Sequence, residues 1–120
     1  VGHGAVLHGC TVGGNAMIGM NAVVMDDALV GEEAFVAAMA FVKRGEEIPP
    51  RTLVAGVPAQ QIRELGERDL AWKTEGTRVY QHLARRYRAT SEPCPPLAEV
   101  EPDRPPLPDV MYETKRARGV

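Results

Sequence analysis

The hydrophobic positions of this chain recur every six residues through its first half. A branched aliphatic residue occupies each step, and in the central part an Ala follows four residues later. This period fits neither an α-helix nor an alternating strand, so each unit must have its own repeating geometry. The aliphatic series is Val6, Val12, Ile18, Val24, Val30, Val36, Val42, Ile48 and Val54, and the Ala series is Ala16, Ala22, Ala28, Ala34 and Ala40.

A period of six is typical of a hexapeptide-repeat β-helix, in which one short strand and one corner make each unit. Three units close a triangular coil, so residues eighteen apart stack vertically, with the aliphatic and the small residue pointing inward. The sequence therefore predicts an all-β fold with a C-terminal helix, its main part a parallel β-helix that we take as left-handed from the known architecture. Val1 and Leu7 also fit an inward series, one place off the later frame, so either Val6 or Leu7 points inward.

Three segments follow one another along the chain. Residues 1–56 are predicted to form coils of the β-helix. Residues 57–89 are predicted to hold a turn and C-terminal helices, a short one over 60–65 and a longer one over 67–88. Residues 90–120 are rich in Pro and are predicted to be extended. Because the first residue already lies in mid-repeat, we expect the chain to be the C-terminal part of a longer protein.

Composition narrows the classes of function. The formal net charge is -2, acidic in the repeats and the tail and basic between them. This lacks the basic footprint of a nucleic-acid-binding protein, and no apolar run approaches membrane-spanning length. Cys10 occupies a small inward position and Cys94 lies in the tail, so neither indicates a disulfide framework. The expected location is cytoplasmic.

Two of the three histidines lie close together at the start of the repeats. The step of five from His3 to His8 is expected to put them on either side of one corner, at the surface, because aliphatics fill the interior. Exposed imidazoles are ligands for zinc, iron or cobalt. A catalytic zinc usually takes three protein ligands, so a third must come from elsewhere. From spacing alone, two solvated surface histidines remain the alternative.

Other polar residues have simpler interpretations. His82 lies in the predicted helix and is expected at the surface. The paired carboxylates at 26–27 and 32–33 fall at predicted corners, where solvated turns are the expected role and acid-base catalysis the alternative.

The paired-histidine segment resembles the γ-class carbonic anhydrase-like hexapeptide-repeat family. Within it, the match favours the branch associated with phenylacetate degradation, with the carnitine-operon branch as its neighbour. The resemblance implies a homotrimer of left-handed β-helices with a metal ion at each subunit interface. His3 and His8 match two of the three metal ligands, contributed from neighbouring subunits, whereas the third ligand has no match. The matching stretches are residues 2–10, 18–22, 31–33, 37–43, 56–59, 70–73, 80–81 and 99–105.

Three functions are consistent with this sequence. The first is a metal-dependent hydrolase of acyl-CoA thioesters in phenylacetate degradation, with zinc as the expected metal and CO2 hydration as the alternative reaction. The second is a hexapeptide acyltransferase that uses acyl-CoA, although such enzymes typically carry a His base on a loop insertion and none interrupts residues 1–54. The third is a non-catalytic scaffold. With two ligands matched, we expect these 120 residues alone to be inactive.

Overall fold

The first half of the chain is a three-sided parallel β-helix built from two-residue strands. The computed structural model describes residues 1–100 and 102–103. The elements are β1 Val6–Leu7, β2 Thr11–Val12, β3 Met17–Ile18, β4 Val23–Val24, β5 Leu29–Val30, β6 Phe35–Val36, β7 Phe41–Val42, β8 Glu47–Ile48, β9 Thr52–Ala55, β10 Gln60–Glu64 and α1 Glu67–Thr90.

Each strand pairs in parallel with the strand one coil further on. The three resulting sheets have the orders β1-β4-β7, β2-β5-β8 and β3-β6-β9, the last extended by β10. Thr11 lies opposite Leu29 and Met17 opposite Phe35, so residues eighteen apart stack as predicted. The all-β fold with a C-terminal helix is confirmed.

The core is the column of side chains inside the prism. In the two-residue strands β1–β8 the second residue points inward, and in β9 Val54 does so; β-branched residues suit this flat strand surface. The alanines lie beside them near the corners, where the prism leaves no room for a larger group. The buried residues of this cluster are Ile18, Ala22, Val24, Ala28, Val30, Ala34, Val36, Ala40, Val42, Ile48, Val54 and Ala59, with Ala5, Cys10, Val12 and Ala16 partly buried against them.

The corners place one residue per unit in the left-handed backbone region. These residues are Gly4, Gly9, Asn15, Asn21, Asp27, Glu33, Met39, Gly45 and Arg51. Successive residues of this series are six positions apart, except that Gly4 and Gly9 are five positions apart. This short unit corrects the predicted frame, because Val6 pairs with Val23 while Leu7 pairs with the inward Val24. Leu7, not Val6, therefore begins the inward series.

The exit from the β-helix differs from the prediction. Residues 60–65 were predicted to be a short helix, but Gln60–Glu64 form strand β10, which runs antiparallel to β9 after a turn at 56–59. The free edge of β9 offers backbone hydrogen bonds that outweigh the local helical preference. Residues 57–89 thus hold one strand and one helix, not two helices.

The chain divides into two compact units, Val1–Lys73 and the residues from Thr74 onward. In the first unit, Leu65 and the helical Leu70 are buried with Phe35 outside the prism. The predicted long helix is confirmed as α1. Among the described residues, no helix is both long and apolar enough to cross a bilayer. Residues 91–97 have no regular secondary structure, and most of the predicted tail beyond residue 100 lies outside the described residues.

Candidate functional site

The two histidines lie at opposite ends of strand β1. His3 and Gly4 form the turn before this strand, and His8 follows it directly. The prediction that they stand on either side of one corner is therefore wrong, because an intact strand separates them and each belongs to a different corner of the coil. Both residues are exposed, as expected.

His8 is held by a carboxylate of the next coil. Its Nδ1 lies 2.9 Å from Oδ1 of Asp26, with the His8 side chain 68% exposed and that of Asp26 37% exposed. Because an ionised carboxylate only accepts hydrogen bonds, this contact favours the tautomer in which Nδ1 carries the proton and donates. This hydrogen bond is the main cause that lowers the pKa of Asp26 from its ordinary value. The other ring nitrogen, Nε2, is left on the opposite side of a largely solvated ring.

Stacked turns form the corner that carries His8. The corner consists of three turns, at residues 8–9, 26–27 and 44–45. Two backbone hydrogen bonds join them, from Asp27 N to Gly9 O and from Gly45 N to Asp26 O, each 2.9 Å. A Cβ on Gly9 would lie 2.8 Å from Oδ1 of Asp26. Glycine therefore leaves the space through which Asp26 reaches His8.

Sequence reasoning missed Asp26 as a partner of His8, although a signal was available. Asp26 lies eighteen residues after His8, which is the vertical repeat of the coil. Since residues at about that spacing lie at the same corner of adjacent coils, a carboxylate beside the imidazole could have been identified. The paired carboxylate Asp27 has a different partner, Arg44, whose Nη2 and Nε donate to its Oδ2 at 3.0 and 3.1 Å.

The residues present fit part of a metal site. Two exposed imidazoles are suitable donors for zinc, and His8 already shows the carboxylate support typical of metal-binding histidines. Within residues 1–100 and 102–103, no group of three or more His, Cys, Asp or Glu side chains could hold a metal ion. The described chain therefore supplies single ligands at two corners and not a complete ligand set.

A second polar column lies on another corner and has a structural role. Asn15, Glu33 and Arg51 stack there. Asn15 Nδ2 donates to Glu33 Oε1 at 3.4 Å, and Arg51 Nε lies 3.3 Å from Glu33 Oε2. Lys73 of α1 donates to Oδ1 of Asn15 at 2.5 Å. Partial burial lowers the pKa of Lys73, while the charge of Glu33 acts in the opposite direction. Arg51 also pairs with Glu67, which holds the start of α1 at this corner.

The remaining candidates are His82, the paired carboxylates and the two cysteines. His82 is exposed on α1, as predicted. The carboxylate pairs at 26–27 and 32–33 occupy turns at corners, as predicted. Cys10 and Cys94 are both free thiols, Cys10 partly buried against the core.

Comparison with known proteins agrees with this architecture. Residues 9–44 match the family model described as bacterial transferase hexapeptide (six repeats). The solved hexapeptide transferase family protein from Anaplasma phagocytophilum superposes with a TM-score of 0.70 at 36% identity, covering 72% of this chain and 52% of that one. The BC4754 product of Bacillus cereus, proposed to be an acetyltransferase, gives 0.70 at 36% identity, covering 71% and 49%. The chain thus has the left-handed parallel β-helix fold, built from hexapeptide repeats.

Among individual relatives, the chain is similar to a carnitine operon protein. It is 50% identical over 107 residues to CaiE of Citrobacter koseri, which covers 89% of this chain and 54% of the relative. The chain thus spans about half the length of the curated relatives it matches. These relatives represent the carnitine-operon branch, whereas the sequence favoured the phenylacetate branch, that of the phenylacetic acid degradation protein PaaY. That finer assignment stays a prediction.

Proposed function

We propose that this chain forms part of a trimeric, metal-dependent hydrolase that cleaves acyl-CoA thioesters in phenylacetate degradation. In this proposal His3 of one subunit and His8 of its neighbour hold the same divalent ion, with zinc expected and iron or cobalt as alternatives. The proposed location is the cytoplasm, in keeping with two free thiols.

The observation that carries the proposal is the state of His8. Its ring is exposed, one nitrogen is held by Asp26, and the other remains outside that contact. A histidine held in this way is typical of a metal ligand. The separation of His3 and His8 by strand β1 also supports a shared interface site, because the two residues belong to different corners of one subunit.

The chemistry divides between the metal and the chain. Bound zinc supplies a Lewis acid that polarises a carbonyl and activates water near neutral pH. The two imidazoles bind and orient the ion. Asp26 holds the proton on Nδ1 of His8. Both thioester hydrolysis and CO2 hydration use water as the nucleophile on an electrophilic carbon, so one site suits either reaction.

An acyltransferase is the second candidate. The match of residues 9–44 to a transferase family model and the transferase relatives favour it. It shares the acyl-CoA thioester with the first candidate and differs in the acceptor, which is a substrate amine or hydroxyl and not water. Metal dependence separates the two, since the transferase proposal requires no bound ion.

The test measures metal content and reaction products together. Zinc is quantified by elemental analysis in the 120-residue chain and in a longer protein that carries this chain at the full length of its curated relatives, each as wild type, His3→Ala, His8→Ala and the surface control His82→Ala. Thiol release from phenylacetyl-CoA, CO2 hydration and acetyl transfer to an added acceptor are assayed alongside.

We expect the longer protein to hold zinc at one ion per interface and to lose it in the His3→Ala and His8→Ala variants but not in His82→Ala. Thiol release should stop on chelation and return with added zinc. Full zinc occupancy in both single variants would refute the metal proposal. Thiol release that requires an acceptor and ignores chelation would assign the protein to the acyltransferases.

A further inference from the structure

We infer that Asp26 is a positioning residue that fixes the tautomer and ring orientation of His8, so that Nε2 is the nitrogen that binds metal. This inference rests on the proposed function and deepens it. Its basis is the 2.9 Å contact between His8 Nδ1 and Asp26 Oδ1, made between adjacent coils of the β-helix.

The backbone holds this pair in place. The backbone carbonyl of Asp26 accepts a hydrogen bond from Gly45 N. Asp27 N donates to the carbonyl of Gly9, the residue that directly follows His8. His8 N donates in turn to Val24 O at 2.9 Å. Both side chains therefore rise from backbone segments that are tied to each other, and the carboxylate needs no large rearrangement to reach the ring.

The short first unit creates the contact. Because the step from Gly4 to Gly9 is five residues, the strand that precedes the corner pairs with an offset of seventeen, Leu7 opposite Val24, whereas later strands pair at eighteen. Because Leu7 pairs with Val24, His8 corresponds to Met25 in the next coil. Asp26 is the residue after Met25. A diagonal contact across the corner results, and Gly9 leaves the space for it.

Asp27 provides a matched comparison in the same turn. It differs by one position, carries the same charge, and its carboxylate pairs with Arg44 at 3.0 Å. Both carboxylates lie near the same exposed corner, so they have comparable long-range effects on a cation there. A difference between the two Asn variants would therefore report the direct hydrogen bond and not the general negative charge.

The experiment follows the His8 ring in the 120-residue chain by 15N NMR at about pH 8, where imidazole is ordinarily neutral. Long-range 15N–1H correlations identify which nitrogen carries the proton, first without metal and then during titration with zinc chloride. The variants are Asp26→Asn, Asp27→Asn and the conservative Asp26→Glu.

We expect the metal-free wild type to be protonated at Nδ1. The Asn amide can donate to Nδ1, so Asp26→Asn should move the proton to Nε2. Its zinc affinity should fall roughly 10- to 100-fold, the usual effect of losing such a partner. Asp27→Asn should change neither quantity, and Asp26→Glu should restore part of the Nδ1 protonation.

The outcomes separate this inference from the proposed function. If zinc binds His8 in the wild type and Asp26→Asn leaves both tautomer and affinity unchanged, Asp26 has no positioning role and the proposed function stands. If the tautomer responds to Asp26→Asn but zinc binds His8 neither in the 120-residue chain nor in the longer protein, the proposed function fails and the positioning of His8 is supported. An equal loss of affinity in both Asn variants would overturn the inference in favour of general charge.

Discussion

Replacing Gly19 by Ala should strongly destabilise the β-helix, because this glycine lies against the backbone of the next coil. A Cβ built on Gly19 would lie 2.3 Å from Ala38 N and 2.5 Å from Ala37 C, whereas ordinary contact begins at 3.4 Å. Backbone atoms cannot rotate aside as a flexible side chain can. The two coils would therefore have to separate locally by about 1 Å in a close-packed structure.

The cost follows from the hydrogen bonds across that gap. Gly19 N donates to Val36 O at 2.8 Å, and Met39 N donates to Met20 O at 2.9 Å. Added separation would stretch both beyond the normal range. Each is worth about 0.5 to 1.5 kcal/mol net, and overpacking adds about 1 to 3 kcal/mol, so the free energy of unfolding should fall by roughly 2 to 6 kcal/mol. That is a large share of a typical domain's stability.

Urea unfolding monitored by circular dichroism measures this loss, with Gly14→Ala as the matched control. A Cβ on Gly14 would meet only the Glu32 side chain, at 3.7 Å, and its φ lies outside the left-handed region. Gly14→Ala should leave stability unchanged or raise it by about 0.4 to 1 kcal/mol through the unfolded state. Equal midpoints for the two variants would refute the close coil contact at Gly19.

Three further predictions concern the core, the helix and the metal. Ala34→Leu should have a much lower melting temperature than Ala71→Leu, because Ala34 is fully buried and Ala71 is exposed. Overpacking a buried position costs about 1 to 3 kcal/mol of stability. Equal melting temperatures would contradict the assignment of Ala34 to the inward positions. Burial lowers the pKa of Lys73, so the native state binds fewer protons than the unfolded state just below the ordinary value of about 10.4. Lys73 should therefore make the free energy of unfolding rise with pH in that window. The Lys73→Met variant should show a smaller rise when urea unfolding is measured across alkaline pH. An unchanged dependence on pH would contradict the lowered pKa of Lys73. With two imidazoles and no third ligand, the 120-residue chain should bind zinc weakly by calorimetry and release no thiol from phenylacetyl-CoA, and full activity would show that His3 and His8 suffice.

The repeat made the core predictable from sequence. A strict period places the same residue type in the same environment in every coil, so the inward Val24, Val36 and Val42 were identified without any knowledge of long-range pairing. The alanines followed from the same step. Errors arose where the period is interrupted, because one missing residue moves every side chain before it to a different place in the coil. At that point both Val6 and Leu7 are apolar, and hydrophobicity does not distinguish them.

The other differences have physical causes that local sequence does not carry. Residues 60–64 become a strand because β9 presents an open edge, which is a property of the assembled coil. The relation between His8 and Asp26 depends on both the eighteen-residue stack and the five-residue first unit. The histidines were correctly expected at the surface, but their corners depend on strand bounds that the ambiguous frame left open.

Strand β10 makes the two ends of the stack of coils different. In the parallel part of each sheet, a strand presents the same kind of edge to the coil that follows it, so whole coils are interchangeable modules. On one of the three sheets, β10 occupies the edge of β9 with an antiparallel partner and ends that sequence of modules. We therefore expect coils to be added or removed easily within the repeat but not beyond β9. In this sense β10 is a terminator, because it occupies the edge of β9 with which a further coil would have to pair.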